Sequence, residues 1–111
     1  MVALPRGLTV FTKRERDELF KRSAFLFRQR GLAFRVAPAT KAYGRILIVV
    51  PKRVGTAVAR NKLRRQIKSI FYEQKFYEHN KDLIVLVAPP AATLSFEEII
   101  KLMTKVIHEG R

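Results

Sequence analysis

The chain has no cysteine, which excludes disulfide staples, thiolate metal centres and thiol nucleophiles together. A cysteine-free chain suits a reducing compartment, and a cytoplasmic protein is the expectation. Long apolar runs are also missing. Ile46–Val50 and Leu83–Ala88 are short, far below the ~20 residues that span a bilayer, so no membrane role is expected. Met1–Val10 has some apolar character but no long hydrophobic segment of the kind that directs secretion. The scarcest feature is negative charge. Nine acidic residues stand against 23 Lys and Arg, a formal net charge of +14, and the pI is about 11.0. No acid occurs between Glu18 and Glu73.

The dearth of acids and histidines limits the chemistry the chain can carry. Asp17 and Glu18 are adjacent and point in different directions on a helix, and Glu97 and Glu98 fit the favourable end of a helix dipole. His79 sits in the polar turn Glu78-His79-Asn80-Lys81, where it reads as solvated. His108 near the end of the last helix offsets that helix's dipole. Neither histidine has a metal-ligand spacing. No Ser–His–Asp set, paired carboxylates or phosphate-cradling glycine loop is present, so no catalytic residue is assigned and no metal is expected on the protein itself.

What is present is a core and a large cationic surplus. Of 111 residues, 48% are hydrophobic, enough for one domain, 1–111, and too many for a disordered basic tail. An excess of one sign destabilises the compact state by self-repulsion, and its usual counterpart is a polyanion.

Thr12-Lys13-Arg14-Glu15 has the form of a capping box and predicts a helix over Lys13–Arg22 with Leu19 and Phe20 as its apolar side. Leu32–Ala37 reads as a strand ended by Pro38. Ile46–Val50, β-branched and too short for a helix, reads as a buried strand ended by Pro51. Lys52–Thr56 is a basic loop. A helix follows from Thr56 or Ala57 to about Phe76, then a buried strand Leu83–Ala88 stopped by Pro89-Pro90. Ser95-Phe96-Glu97-Glu98 is a second capping box, opening a last helix with Gly110 at its C-cap. This order of helix, two or three strands, helix, strand, helix predicts an α+β fold, an α/β sandwich of a small sheet with helices against it. The unit from Ile46 through the central helix to Val87 predicts adjacent or near-adjacent parallel strands.

The central helix carries the most information. At ~100° per residue, Leu63, Ile67, Ile70 and Phe71 share one side within roughly 100° of arc, and Arg60, Asn61, Arg64, Arg65 and Lys68 occupy an adjacent arc of roughly 140°. One face docks and the next presents cations and one amide. Arginine's planar fork grips phosphate oxygens from two directions, and Asn61 suits a sugar hydroxyl or base edge. A mixed-charge face is usually only solvated surface. A face of one sign, in a chain of the same sign, points to RNA or another polyanion.

The stretch Val54-Gly55-Thr56-Ala57-Val58-Ala59-Arg60-Asn61-Lys62-Leu63-Arg64-Arg65-Gln66-Ile67-Lys68 resembles the Arg-Asn-Arg motif of the protein subunit of bacterial ribonuclease P. The resemblance extends to the strand before Lys52-Arg53 and to the strand Asp82–Ala88, and so covers nearly the whole chain. It implies the order α-β-β-β-α-β-α with a left-handed βαβ crossover, as in domains of a ribosomal protein and of elongation factor G; the general rule for such crossovers would give the opposite hand. It also implies a cofactor of ribonuclease P that binds the catalytic RNA and the 5′ leader of precursor tRNA. The leader is then removed by an RNA that holds the Mg²⁺. Arg60, Asn61, Lys62, Arg64, Arg65 and Lys68, with Lys52 and Arg53, match the positions lying against the catalytic RNA. Phe20 and, more loosely, Phe34 match aromatics of a leader cleft between the first helix and the sheet. Arg16 stands where the family has a further aromatic, and a guanidinium plane can stack on a base in its place. Ser23 replaces an expected glycine, and a shifted alignment would put Phe25 or Phe27 in the cleft. Read as residues alone, Phe20 and Phe34 fit ordinary core packing better than a cleft; the resemblance brings the two roles level.

The competing class is a ribosomal or general RNA-chaperone protein with no role in tRNA 5′ processing. A helix-turn-helix DNA binder would need a second helix shortly before Arg60, where Pro51 and a strand stand. Membrane-surface binding would need the apolar face that Leu63, Ile67 and Phe71 give to the core. No obligate protein partner is evident.

Overall fold

The structure, a computed structural model, describes residues 7–109. The expected Gly110 cap lies outside them. The first helix, α1 (Lys13–Arg22), starts where the capping box placed it: the Thr12 hydroxyl accepts from the Glu15 amide and the Glu15 carboxylate accepts from the Thr12 amide. Strands β1 (Ala24–Gln29), β2 (Leu32–Pro38) and β3 (Ile46–Val49) follow, then α2 (Ala57–Glu73), β4 (Lys81–Val87) and α3 (Phe96–Glu109). The sheet order is β1-β2-β4-β3. β2 is antiparallel to both β1 and β4, whereas β3 and β4, joined through α2, are parallel neighbours.

Both faces of the sheet are covered, to different extents. Leu32, Phe34, Ile46, Leu83, Val85 and Val87 form the main core with Leu63, Ile67, Ile70 and Phe71 of α2 and Ile99, Leu102, Met103 and Val106 of α3. The opposite face holds a small cluster of Ala37, Leu47 and Ile84 beneath Leu19 of α1, with Phe11, Val49 and Leu86 partly buried around it. α1 thus covers part of that face and leaves the rest open.

Ion pairs clamp α1 to the sheet. At its C-terminal end, Arg22 donates to Asp82 of β4 at 2.5 Å, and that carboxylate, 1% exposed, also accepts from the Arg45 backbone amide at 2.9 Å. At its N-terminal end, the nearly buried Arg45 guanidinium donates to Glu15 at 2.8 Å and stacks on the Phe11 ring at 4.3 Å. The Glu15 carboxyl falls from 4.5 to about 2, first through the Thr12 amide donating to it and then through Arg45.

Several boundaries differ from the sequence reading. β1, which the residues alone left undecided, is an edge strand with exposed ends and a register shift between Phe25 and Phe27 that spoils its alternation. α2 ends at Glu73 rather than near Phe76, because Lys75 adopts a left-handed conformation (φ 55°) and starts a short 3₁₀ turn, Phe76–His79. That turn inserts Phe76 and Tyr77 into the main core. Within the basic loop, Lys52–Val54 forms one 3₁₀ turn that buries Val54.

Candidate RNA interface

Helix α2 is built to dock with one face and display the other. The Thr56 hydroxyl caps it by accepting from the Ala59 amide. Leu63, Ile67, Ile70 and Phe71 are buried as their spacing required. Arg65, Lys68, Asn61 and Lys62 are exposed, while Arg60 and Arg64 are half-buried. The two half-buried guanidiniums are steadied by neutral acceptors: Arg60 donates to the Gly55 carbonyl at 3.3 Å, and Arg64 donates to Asn61 Oδ1 at 2.8 Å and the Val50 carbonyl at 3.4 Å. Asn61 therefore orients Arg64, a role its amide chemistry allows and the sequence did not single out. Lys52 and Arg53, both exposed, stand on the turn just before α2.

Some of the cations elsewhere in the chain are used differently. Arg14, Arg22, Arg30, Lys41, Arg45 and Lys105 each pair with a carboxylate. Among the described residues, no carboxylate pairs with Lys52, Arg53, Arg60, Lys62, Arg64, Arg65 or Lys68. Among the described residues the charge on this side is not neutralised by a carboxylate and is available to an external anion.

A groove of about 310 Å³ beside α2 is lined by Thr9, Leu47, Ile48, Arg64, Arg65 and Lys68. A second, of about 560 Å³, lies on the open part of the α1-covered face: Ala33, Val49 and Leu86 floor it, and Arg28 and Arg53 stand at its sides. Arg28 was not singled out from the sequence. Its signal is register, because it pairs with Ala33 across β1 and β2 and so points to the same face. Arg53 belongs both to this groove and to the basic pair preceding α2.

The expected leader residues divide. Arg16 and Phe20 lie one turn apart on α1 and are both exposed, Phe20 by 38%, but neither lines the second groove. Phe34 is a correction. It is 0% exposed, on the other face of the sheet, with its ring 4.9 Å from that of Phe27. It is a core residue and is withdrawn from the leader set, and Phe27 follows it to the same face. Phe25, 54% exposed and paired with Arg35, is the β1 aromatic on the groove side. Arg35 itself is tied to α1, donating to the Ser23 hydroxyl at 2.9 Å and its carbonyl at 2.8 Å.

Comparison with known proteins identifies the family. The family model for ribonuclease P matches residues 4–110. The chain belongs to the ribonuclease P protein family. The ribonuclease P protein component of Bacillus velezensis is 31% identical over 85 residues, covering 77% of this chain and 73% of that one. That of Bacillus pumilus is 30% identical over 97 residues, covering 86% and 82%. The fold matches the solved ribonuclease P protein of Staphylococcus aureus with a TM-score of 0.81 at 23% identity, covering 96% and 97% of the two chains. The Thermotoga maritima ribonuclease P protein gives 0.75 at 20% identity, covering 89% and 94%. Membership makes this chain a protein subunit of the tRNA-processing ribonuclease P and implies partnership with ribonuclease P RNA. Among the described residues, no helix is long and apolar enough to cross a membrane, and no three His, Asp or Glu side chains gather to hold a metal ion.

Proposed function

We propose that the α2 face binds the catalytic RNA, and that the open part of the α1-covered sheet face, with Arg16 and Phe20, receives the 5′ leader of precursor tRNA. The protein thereby promotes endonucleolytic removal of the leader. The observation that carries this reading is the clustering of Lys52, Arg53, Arg60, Lys62, Arg64, Arg65 and Lys68, none paired with a carboxylate among the described residues, in a chain where Arg14, Arg22, Arg30 and Arg45 are so paired. Such a set fits phosphates in a folded RNA. The second groove fits an extended single strand: its apolar floor accepts base or sugar faces, and Arg28 and Arg53 at its sides accept phosphates.

The protein's share of catalysis is positional. The reading assigns no nucleophile or general base to the protein and gives the Mg²⁺ that activates water to the RNA. Holding the leader beside the RNA converts part of substrate association into an intramolecular step. The test compares binding of leader-bearing and mature tRNA to ribonuclease P RNA, with and without this protein. A gain confined to the leader-bearing substrate supports the reading. An equal gain for both would favour a general RNA chaperone.

A further inference from the structure

We infer that Tyr43, in the turn between β2 and β3, is a stacking platform for an unpaired RNA nucleotide, distinct from α2 and the sheet-face groove. The inference rests on the RNA-binding reading above and adds a third contact to it.

Isolated exposed tyrosines are common on protein surfaces, so the argument lies in how this one is held. Tyr43 is 43% exposed, yet the backbone around it is tightly anchored. The Gly44 amide donates to the Tyr77 carbonyl at 2.9 Å. Gly44 is buried so closely that a Cβ there would sit 2.0 Å from the Lys81 carbonyl oxygen. Ala39, at the other end of the turn, donates to the Asn80 carbonyl at 3.0 Å. The Tyr43 ring is braced edge-to-face against Tyr77, with centroids 5.8 Å apart, and Tyr77 is itself packed against Phe71 and Tyr72 in the core. A ring held this way loses little freedom on binding, which favours stacking.

The surroundings supply room and charge. Tyr43 lines a groove of about 400 Å³ with Leu8, Val10, Lys41, Arg45 and Glu15, within the ~300–1,000 Å³ usual for small-molecule sites. Glu15, the groove's one carboxylate, is already committed: Arg45 donates to it at 2.8 Å and Lys41 Nζ lies 3.8 Å away. Lys41 remains 62% exposed and can also meet a phosphate. An aromatic face beside an exposed cation is the pairing that single-stranded RNA binders use. Tyr43 precedes β3 and Lys52-Arg53 follows it, so they lie towards opposite ends of that strand. An RNA reaching both would run along the β3 side of the molecule.

The chain has no tryptophan, so Tyr43→Trp introduces a single reporter that can be excited where RNA barely absorbs. Its emission would be followed while the full-length protein is titrated with a bacterial ribonuclease P RNA, and again when precursor tRNA is added. Saturation would be confirmed separately by filter binding. Quenching by at least half on adding the catalytic RNA assigns the nucleotide to that RNA. Quenching only when precursor tRNA arrives assigns it to the substrate. Unchanged emission at saturation overturns the platform while leaving the α2 reading intact, and failure to bind either RNA overturns both. In parallel, Tyr43→Phe should keep the parent affinity and Tyr43→Leu should lose roughly 5- to 100-fold. Equal affinity for Tyr43→Leu and the parent, with matching unfolding midpoints, would also overturn it.

Discussion

Replacing Arg65 and Lys68 together with alanine tests whether the α2 face meets phosphate. Both side chains are exposed and make no ion pair among the described residues. Alanine is also the best helix former, so stability should hardly change. Each cation that neutralises a phosphate releases condensed counterions. The logarithm of affinity then falls against the logarithm of salt with a slope of about 0.7 per contact for single strands and 0.9 for duplex. Losing two contacts should therefore flatten that slope by roughly 1.4–1.8. Arg65→Ala alone should weaken binding by about 1–3 kcal/mol, the range for a charge-assisted contact, or roughly 5- to 150-fold. The assay is filter binding of ribonuclease P RNA over a salt series, with urea unfolding of each variant as a control. An unchanged slope and affinity in a stable double variant would show that these cations are solvated surface, and the proposed interface would lose its centre.

Three other outcomes follow from the clamps and the groove. Asp82→Ala removes a carboxylate that is 1% exposed and orphans the Arg45 amide; breaking a fully buried pair costs about 3–5 kcal/mol, and because Arg22 is 29% exposed the loss should fall below that range, while a loss under about 1 kcal/mol in urea unfolding would mean Arg22 and Asp82 do not hold α1. Glu15 has its carboxyl lowered from 4.5 to about 2 by the Thr12 amide and Arg45. Its contribution should be fully present above pH 4.5 and fade as pH falls through about 2, so the stability gap between the parent and Glu15→Gln should close over that window; a pH-independent gap would contradict the pairing. Phe20→Ala should reduce affinity for precursor tRNA more than for mature tRNA with little loss of stability, because the side chain is 38% exposed and exposed positions tolerate substitution. Equal losses for the two tRNAs would remove Phe20 from the leader contacts.

Features written in local chemistry were legible before the structure. The capping boxes at Thr12 and Ser95, the β-branched runs of β3 and β4 and the cation arc of α2 each depend on neighbours a few residues away, and each stands where it was expected. Features set by tertiary partners were not. β1 is an exposed edge strand with a bulge, so neither burial nor alternation marked it. Asp82 reads as a polar strand start until Arg22, sixty positions away, is seen to meet it. Phe34 shows a subtler failure. Its strand alternates Leu32, Phe34 and Val36 with Ala33, Arg35 and Ala37, and the larger apolar set belongs to the α2–α3 side. Because the sheet is covered on both faces, either set looks buried, and only the register against β1 and β4 shows that Phe34 turns away from the groove while Arg28 turns towards it.

The most direct test of the account is reconstitution. This protein, a bacterial ribonuclease P RNA and a 5′-extended precursor tRNA would be combined at low Mg²⁺, beside RNA-alone and protein-alone controls, and the 5′ end of the product mapped. The account predicts cleavage at the mature 5′ end only when protein and RNA are together. A mixture no more active than the RNA alone, despite measurable binding, would contradict it, and so would cleavage by the protein alone, which would place on the protein a catalytic centre that the account assigns to the RNA.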